Sequence, residues 1–187
     1  MLDKGFQKGD VAALYLLNLH EYALIFHAVT LLGGVVHLCH LNLTVDDLHQ
    51  QFRQTKPRFI FTVHKNDMFK SAKAAAEGVG GNTGEFIIYL DVTDLVEGVK
   101  FVHLFANDGR GFEHKVEDTG VVISRNSKSS ESKTISIRPK EDVALICFDY
   151  ENKPVAYTHY NLVSHVYQLD DLNMSFLCTV KMKRGFV

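Results

Sequence analysis

No stretch of this sequence is apolar for long enough to cross a bilayer. The most apolar segment, Val11 to Val36, is broken by Asn18, His20, Glu21 and His27. Hydrocarbon would penalise those residues, whereas a half-buried helix between two strands tolerates them. An excess of one charge is missing too. Twenty Lys and Arg stand against 22 Asp and Glu, a formal net charge of −2, so no global field draws in nucleic acid or an acidic membrane. The short basic cluster of Lys181, Lys183 and Arg184 does not change that. Cysteine is scarce: Cys39, Cys147 and Cys178 are odd in number and set far apart in apolar runs. That excludes a disulfide framework and predicts buried, reduced thiols in an intracellular protein. Met1-Leu-Asp-Lys-Gly5 has neither the basic nor the apolar region of a secretory signal. What remains is ordinary globular material, 187 residues with 46% hydrophobic and 22% charged, enough for one domain with a real core.

The front half alternates strand and helix. Val11 to Leu16 reads as a buried strand. Asn18 is placed to cap a helix from about Leu19 to Leu32, with Tyr22, Leu24, Ile25, Ala28, Val29 and Leu32 as its apolar stripe and Gly33-Gly34 as its stop. Val35 to Cys39 is a second strand. Thr44-Val-Asp-Asp47 resembles a capping box and opens a helix to about Gln54. Phe59 to Val63 is a third strand, and a helix from about Asp67 to Glu77 carries the strong former Ala72-Lys-Ala-Ala-Ala76. Phe86 to Leu90 is a fourth strand. This alternation predicts an α/β fold, a parallel sheet with helices on both faces. Residues 93–141 look irregular, with an exposed Ser-rich loop over 124–134. A strand over Asp142 to Phe148, a helix from about Tyr160 to Gln168 and a last strand near Phe176 to Val180 complete the expectation.

Few residues offer chemistry. His37-Leu-Cys39-His40 holds three possible metal ligands, but on a strand His37 and Cys39 share one face and His40 takes the other. With no second ligand pair at zinc spacing, no metal site is expected. Gly78-Val-Gly-Gly-Asn-Thr-Gly84 follows a helix and precedes a strand, the reverse of a phosphate-binding loop, so it reads as a connector. The sequence has no G-x-S-x-G, H-E-x-x-H or C-x-x-C. Asp142, Asp149 and Glu151 lie close in sequence and read as solvated charges. No catalytic residue is assigned.

Five segments, in order, resemble the adenylate-forming superfamily, particularly its 4-coumarate–CoA ligase and luciferase-like branch. Gly5-Phe-Gln-Lys-Gly-Asp-Val-Ala-Ala-Leu14 is similar to the family's G-x-x-K-G-D-V-V-A-L. Asn18 to Tyr22 with Leu31 to Val36 resembles P-N-x-x-E-F … A-G-A-V-V, and Leu43 to Leu48 resembles Y-T-x-x-E-L. Pro139 to Leu145 and Thr158 to Leu162 are similar to the segments that flank the family's ATP-binding loop. The resemblance implies carboxylate adenylation followed by thioester formation, with ATP, Mg and CoA as the family's cofactors. It also implies that residues 1–187 form an incomplete amino-terminal AMP-binding domain, about a third of such an enzyme.

In the family a Ser/Thr/Gly-rich loop ending in P-K-G wraps the phosphates, using backbone N–H groups, hydroxyls and a lysine. Ile146 to Tyr157 stands there in this chain, shorter and without glycine, serine or threonine. Asp149 and Glu151 bring repulsive charge to the place of the phosphate. Lys153, as a remnant of the P-K-G lysine, and Thr158 are the cofactor-binding candidates. Val180 to Val187 resembles the family's P-[FL]-[FH]-H-x-[FY]-G with its proline and histidines lost. The expectation is a non-catalytic fragment or pseudoenzyme that holds no cofactor by itself. The alternatives are a truncated piece of an active ligase and an interaction module. The expected partners are a full-length homologue or a missing remainder of the chain, with no nucleic acid and no membrane span. Some relatives carry a peroxisomal address, but Arg184-Gly-Phe-Val187 is not one, so the expected compartment is cytoplasmic.

Overall fold

A computed structural model describes residues 1–90, 99–100, 112–117, 120–125 and 132–169. The main sheet has seven strands. Five come from the front of the chain: β1 (Val11–Leu14), β2 (Val35–Leu38), β3 (Phe59–Thr62), β4 (Phe86–Tyr89) and β5 (Val99–Lys100). β9 (Val143–Phe148) and β10 (Pro154–Thr158) join them, giving the order β10-β9-β2-β1-β3-β4-β5. Every pairing is parallel except that of β10 with β9. A separate antiparallel sheet contains β6 (Phe112–Glu117), β7 (Gly120–Arg125) and β8 (Ser132–Ile135).

The central strands are largely apolar because helices cover both of their faces. All four residues of β3 are buried, as are Ala12, Ala13 and Leu14 in β1. The helices are α1 (His20–Leu31), α2 (Val45–Thr55), α3 (Met68–Ala76) and α4 (residues 159–169). The chain winds one way from β1 to β2 and the opposite way from β2 through β3 to β4. Right-handed crossovers then put α1 on one face and the touching pair α2 and α3 on the other. The winding reverses at β1 and β3, and in such sheets ligands bind outside the carboxyl ends of the strands.

Several local expectations hold in detail. The Thr44 hydroxyl accepts the N–H of Asp47 at 3.1 Å, and the Asp47 carboxylate accepts the N–H of Thr44 at 3.3 Å, completing the capping box of α2. Gly78, Gly80, Gly81 and Gly84 all take positive φ, which glycine adopts at little cost in the tight connector between α3 and β4.

Other expectations are corrected. Leu19, not Asn18, is the N-cap of α1, and no side chain bonds there. Ile25, Val29 and Leu32 are buried, but Leu24 is 57% exposed, because α1 has only the sheet beneath it and a narrower stripe suffices. Residues 93–141 include β5 to β8 rather than irregular chain alone. Ser124 and Arg125 end β7, and residues 132–134 begin β8, so both ends of the expected Ser-rich loop are strand; 126–131 lie outside the described residues. β10 is an element that the local pattern does not announce, and Pro154 is tolerated because it is the first residue of an outer strand. The expected strand near Phe176 to Val180 also lies outside the described residues.

Gly34 shows how tightly α1 packs. A Cβ at this position would lie 2.3 Å from Cζ of Phe6 and 3.0 Å from Cγ1 of Val29. Phe6 is 1% and Val29 0% exposed, so neither can move aside into solvent. Gly34→Ala should therefore cost about 1–3 kcal/mol, the range for overpacked cores. Urea unfolding checks this: the midpoint falls at unchanged slope, and an unaltered midpoint refutes the packing account.

Candidate functional site

The carboxyl ends of β2 and β9 lie side by side, since Val36 pairs with Leu145 and His37 with Ile146 in parallel register. Between β9 and β10 the chain turns through Asp149, Tyr150, Glu151, Asn152 and Lys153. This turn occupies the place where a parallel sheet would offer backbone N–H groups to a ligand.

Here those groups are already taken. The Asp149 carboxylate accepts the N–H of Glu151 and the N–H of Lys153, each at 2.9 Å. The N–H of Asp149 donates to the Lys153 carbonyl at 3.1 Å, and the N–H of Asn152 donates to the Asp149 carbonyl at 3.1 Å. The Lys153 ammonium pairs with Glu151. An internal carboxylate thus occupies the N–H groups of the turn, and the one lysine of the turn is held by a second carboxylate. Tyr150 projects from the tip, 95% exposed.

The turn is fastened to α2 through Asn152, whose φ of 58° lies in the left-handed region that asparagine tolerates. Its side-chain amide donates to Asp47 at 3.3 Å, and its side-chain oxygen accepts from Gln51 Nε2 at 2.9 Å. Gln54 Nε2 reaches the Asn152 carbonyl at 3.4 Å. Beneath them Gln51 Oε1 meets Nε2 of His37 at 3.2 Å, and the Thr55 hydroxyl lies 3.1 Å from Nδ1 of the same ring. His37 is fully buried, with Phe52 and Phe148 against it at centroid distances of 6.0 and 5.0 Å. Burial pushes its pKa down from 6.5 to about 4, although the bond to Gln51 opposes this. A cleft of about 380 Å³ opens above the network, lined by His40, Asn42, Asp47, Asp149 and Tyr150 among others.

The two residues expected to bind a cofactor are not brought together. Lys153 sits at the head of β10 and Thr158 at its foot, about 17 Å apart for a strand of that length. The Thr158 hydroxyl accepts the N–H of Asn161 at 3.2 Å, and Asn161 Oδ1 accepts the N–H of Thr158 at 3.0 Å, so Thr158 caps α4. Asp142, expected to be a solvated charge, is instead a structural anchor. Its side chain is 12% exposed, pairs with Lys8 and accepts the N–H of Arg138 at 2.8 Å. The bond to Lys8, ahead of that to Arg138, holds its carboxyl below the usual range.

Cys39 Sγ lies 3.6 Å from Nε2 of His37, while His40 Nδ1 accepts the N–H of Asn42 at 3.2 Å. Among the described residues no three His, Cys, Asp or Glu side chains group to hold a metal. His37 and Asp47 entered the sequence reading only as a possible metal ligand and a helix cap, while Gln51 and Asn152 were missed. No motif announces them, because Gln51 and Asn152 are 101 positions apart.

The sequence pattern that defines AMP-binding enzymes matches residues 1–183. Probable 4-coumarate–CoA ligase 1 of Dictyostelium discoideum is 27% identical over 185 residues, covering 91% of this chain and 30% of that protein. Probable 4-coumarate–CoA ligase 3 of the same organism gives the same identity and coverage. The chain therefore spans about 30% of the length of these relatives. Among solved structures, a long-chain-fatty-acid–CoA ligase from Archaeoglobus fulgidus superposes with a TM-score of 0.64 at 18% identity, covering 90% of this chain and 29% of that one. A benzoate–CoA ligase from Burkholderia xenovorans gives 0.59 at 15% identity, covering 87% and 27%. These two likenesses show the fold.

Proposed function

The chain belongs to the family of AMP-binding enzymes, and on that premise we propose that it is a non-catalytic member whose phosphate-binding turn has closed on itself. The Asp149 carboxylate on the N–H groups of Glu151 and Lys153 carries this reading. A phosphate entering the turn would have to displace a carboxylate already bound there and approach Glu151 as well. Like charges a few ångströms apart repel even near a surface, by about 4 kcal/mol at an effective dielectric of 20. ATP and Mg do not fit these residues.

Titration of the purified chain with ATP and Mg in a calorimeter should give no saturable heat. Pyrophosphate exchange into ATP with aliphatic or aromatic acids should stay at background. The double variant Asp149→Ala, Glu151→Ala frees two N–H groups and Lys153, and should strengthen ATP binding by about tenfold or more. Tight ATP binding by the unaltered chain, or exchange above background, would overturn the reading.

A second reading is favoured by the coverage, about 30% of the curated relatives. Here the activity belongs to a longer polypeptide that supplies phosphate-binding groups from elsewhere, and exchange would appear once those regions are present.

A further inference from the structure

The turn that Asp149 fills lies at the carboxyl ends of the strands. At the opposite, amino ends of β1 and β3, where α2 stops, the chain leaves a second cleft of about 590 Å³. That volume lies within the range of small-molecule sites. Its floor is Arg58, whose guanidinium draws three segments together. It donates to the Gly5 carbonyl at 2.8 Å, to Asp10 at 3.1 Å and to Glu85 at 2.6 Å. The Asp10 carboxylate also accepts the N–H of Gln7 at 2.9 Å. Gly9 takes a φ of 87°, and a Cβ there would meet nothing within 4 Å, so the mouth of the cleft stays open. The site is formed before any ligand arrives.

The floor satisfies itself, but the rim does not. Lys56 follows α2 in the left-handed region at a φ of 47°, and its exposed ammonium has no partner among the described residues. The exposed side-chain amides of Gln7 and Asn82 have none there either. All three line the same cleft, so their polar groups converge on one volume. Of the nine lining residues only Val11 brings a sizeable aliphatic side chain, and a fatty or aromatic acid would bury almost nothing. Charge narrows the class further. Two cations, Lys56 and Arg58, stand against one carboxylate, Asp10, leaving one positive charge. A monoanion meets that balance, whereas a phosphate dianion or a nucleoside triphosphate would press its surplus charge on Asp10. We propose that this cleft binds a small hydroxylated monocarboxylate, a sugar acid in chemical class, with its carboxylate on Lys56 and its hydroxyls on Gln7 and Asn82.

Two requirements together set the specificity. A carboxylate without hydroxyls leaves both amides unused, and a neutral sugar leaves the Lys56 ammonium without a counter-charge. Because Lys56 touches no other described side chain, replacing it removes a ligand contact and leaves the fold intact. The cleft and the closed turn stand at opposite ends of the strands. ATP titration and sugar-acid titration are therefore separate readouts, and either can fail without the other.

Sodium gluconate is the probe, titrated into the 187-residue chain and followed by calorimetry and ligand-observed saturation-transfer resonance. Saturable binding is the expected result. Lys56→Met should weaken it at least tenfold, since a charge-assisted hydrogen bond is lost, while far-ultraviolet dichroism and the urea midpoint stay unchanged. The double variant Gln7→Ala, Asn82→Ala should weaken it as well. Lys153→Met, in the distant turn, should leave gluconate binding unaltered. Absence of saturable gluconate binding overturns the proposal, as does binding that Lys56→Met leaves intact. Glucose or hexanoate binding as tightly as gluconate overturns the assigned class, and so does inorganic phosphate that displaces gluconate at equal concentration.

Discussion

Between pH 6.5 and about 4 the folded chain loses stability on the order of 3 kcal/mol, and His37 is the main source. The ring is buried, its hydrogen bonds run to neutral Gln51 and Thr55, and aromatic rings pack on it. Desolvation therefore disfavours the imidazolium and lowers the pKa to about 4. In the unfolded chain the same ring protonates near 6.5. Between these values the unfolded state holds more protons than the folded one, so stability falls as the pH falls, by at most about 1.4 kcal/mol per pH unit. Below about 4 both states are protonated and this loss is complete.

His159 is shifted in the same direction, by burial first, and adds to the slope. Asp142 acts lower down: its depressed carboxyl stabilises the fold above the ordinary carboxylate range, and that contribution is lost as acid protonates it. Urea midpoints from pH 7.5 to 4.5 would separate the two. The unaltered chain should weaken steadily below 6.5, whereas His37→Gln should show only the residual slope from His159. A midpoint independent of pH over that range would refute the buried neutral histidine.

Phe52→Ala should be the most damaging single truncation among the site residues, costing about 3–5 kcal/mol at neutral pH. Phe52 is 0% exposed and belongs to the central core, and its ring meets the edge of His37. The lost ring leaves a space beside the His37 imidazole, and water entering it would find the ring nitrogens to bond. Water beside the imidazole would relieve its desolvation, so the variant should be less stable at pH 7.5 yet show a flatter pH profile than the parent. Chemical shifts of the His37 ring, followed by titration, would read the rise in pKa directly. A dry cavity with an unchanged titration would show that packing, not solvent exclusion by Phe52, sets that pKa.

What was legible in the sequence was local. The capping box at Thr44 and Asp47 was readable because both partners lie within one helical turn. β1 to β4 were readable because strands buried on both faces need unbroken apolar runs, and Val11–Leu14 and Phe59–Thr62 supply them. The composition of the turn after β9 was legible as well, since Ile146 to Tyr157 contains no glycine, serine or threonine. Leu24 was misplaced because helical periodicity shows which residues share a face, not how much of that face is covered. β10 was missed because its existence depends on pairing with β9, a partner that local pattern does not name.

The family resemblance, the α/β alternation and the want of glycine, serine and threonine between Ile146 and Tyr157 could be read from the sequence alone, because each is written in neighbouring positions. Only the tertiary structure decided the order of the strands, the capture of the turn's N–H groups by Asp149, and the chain of bonds from Asn152 through Gln51 to His37. Those depend on side-chain direction and on contacts across some hundred residues, where the free energy of burial and not local propensity chooses the partner.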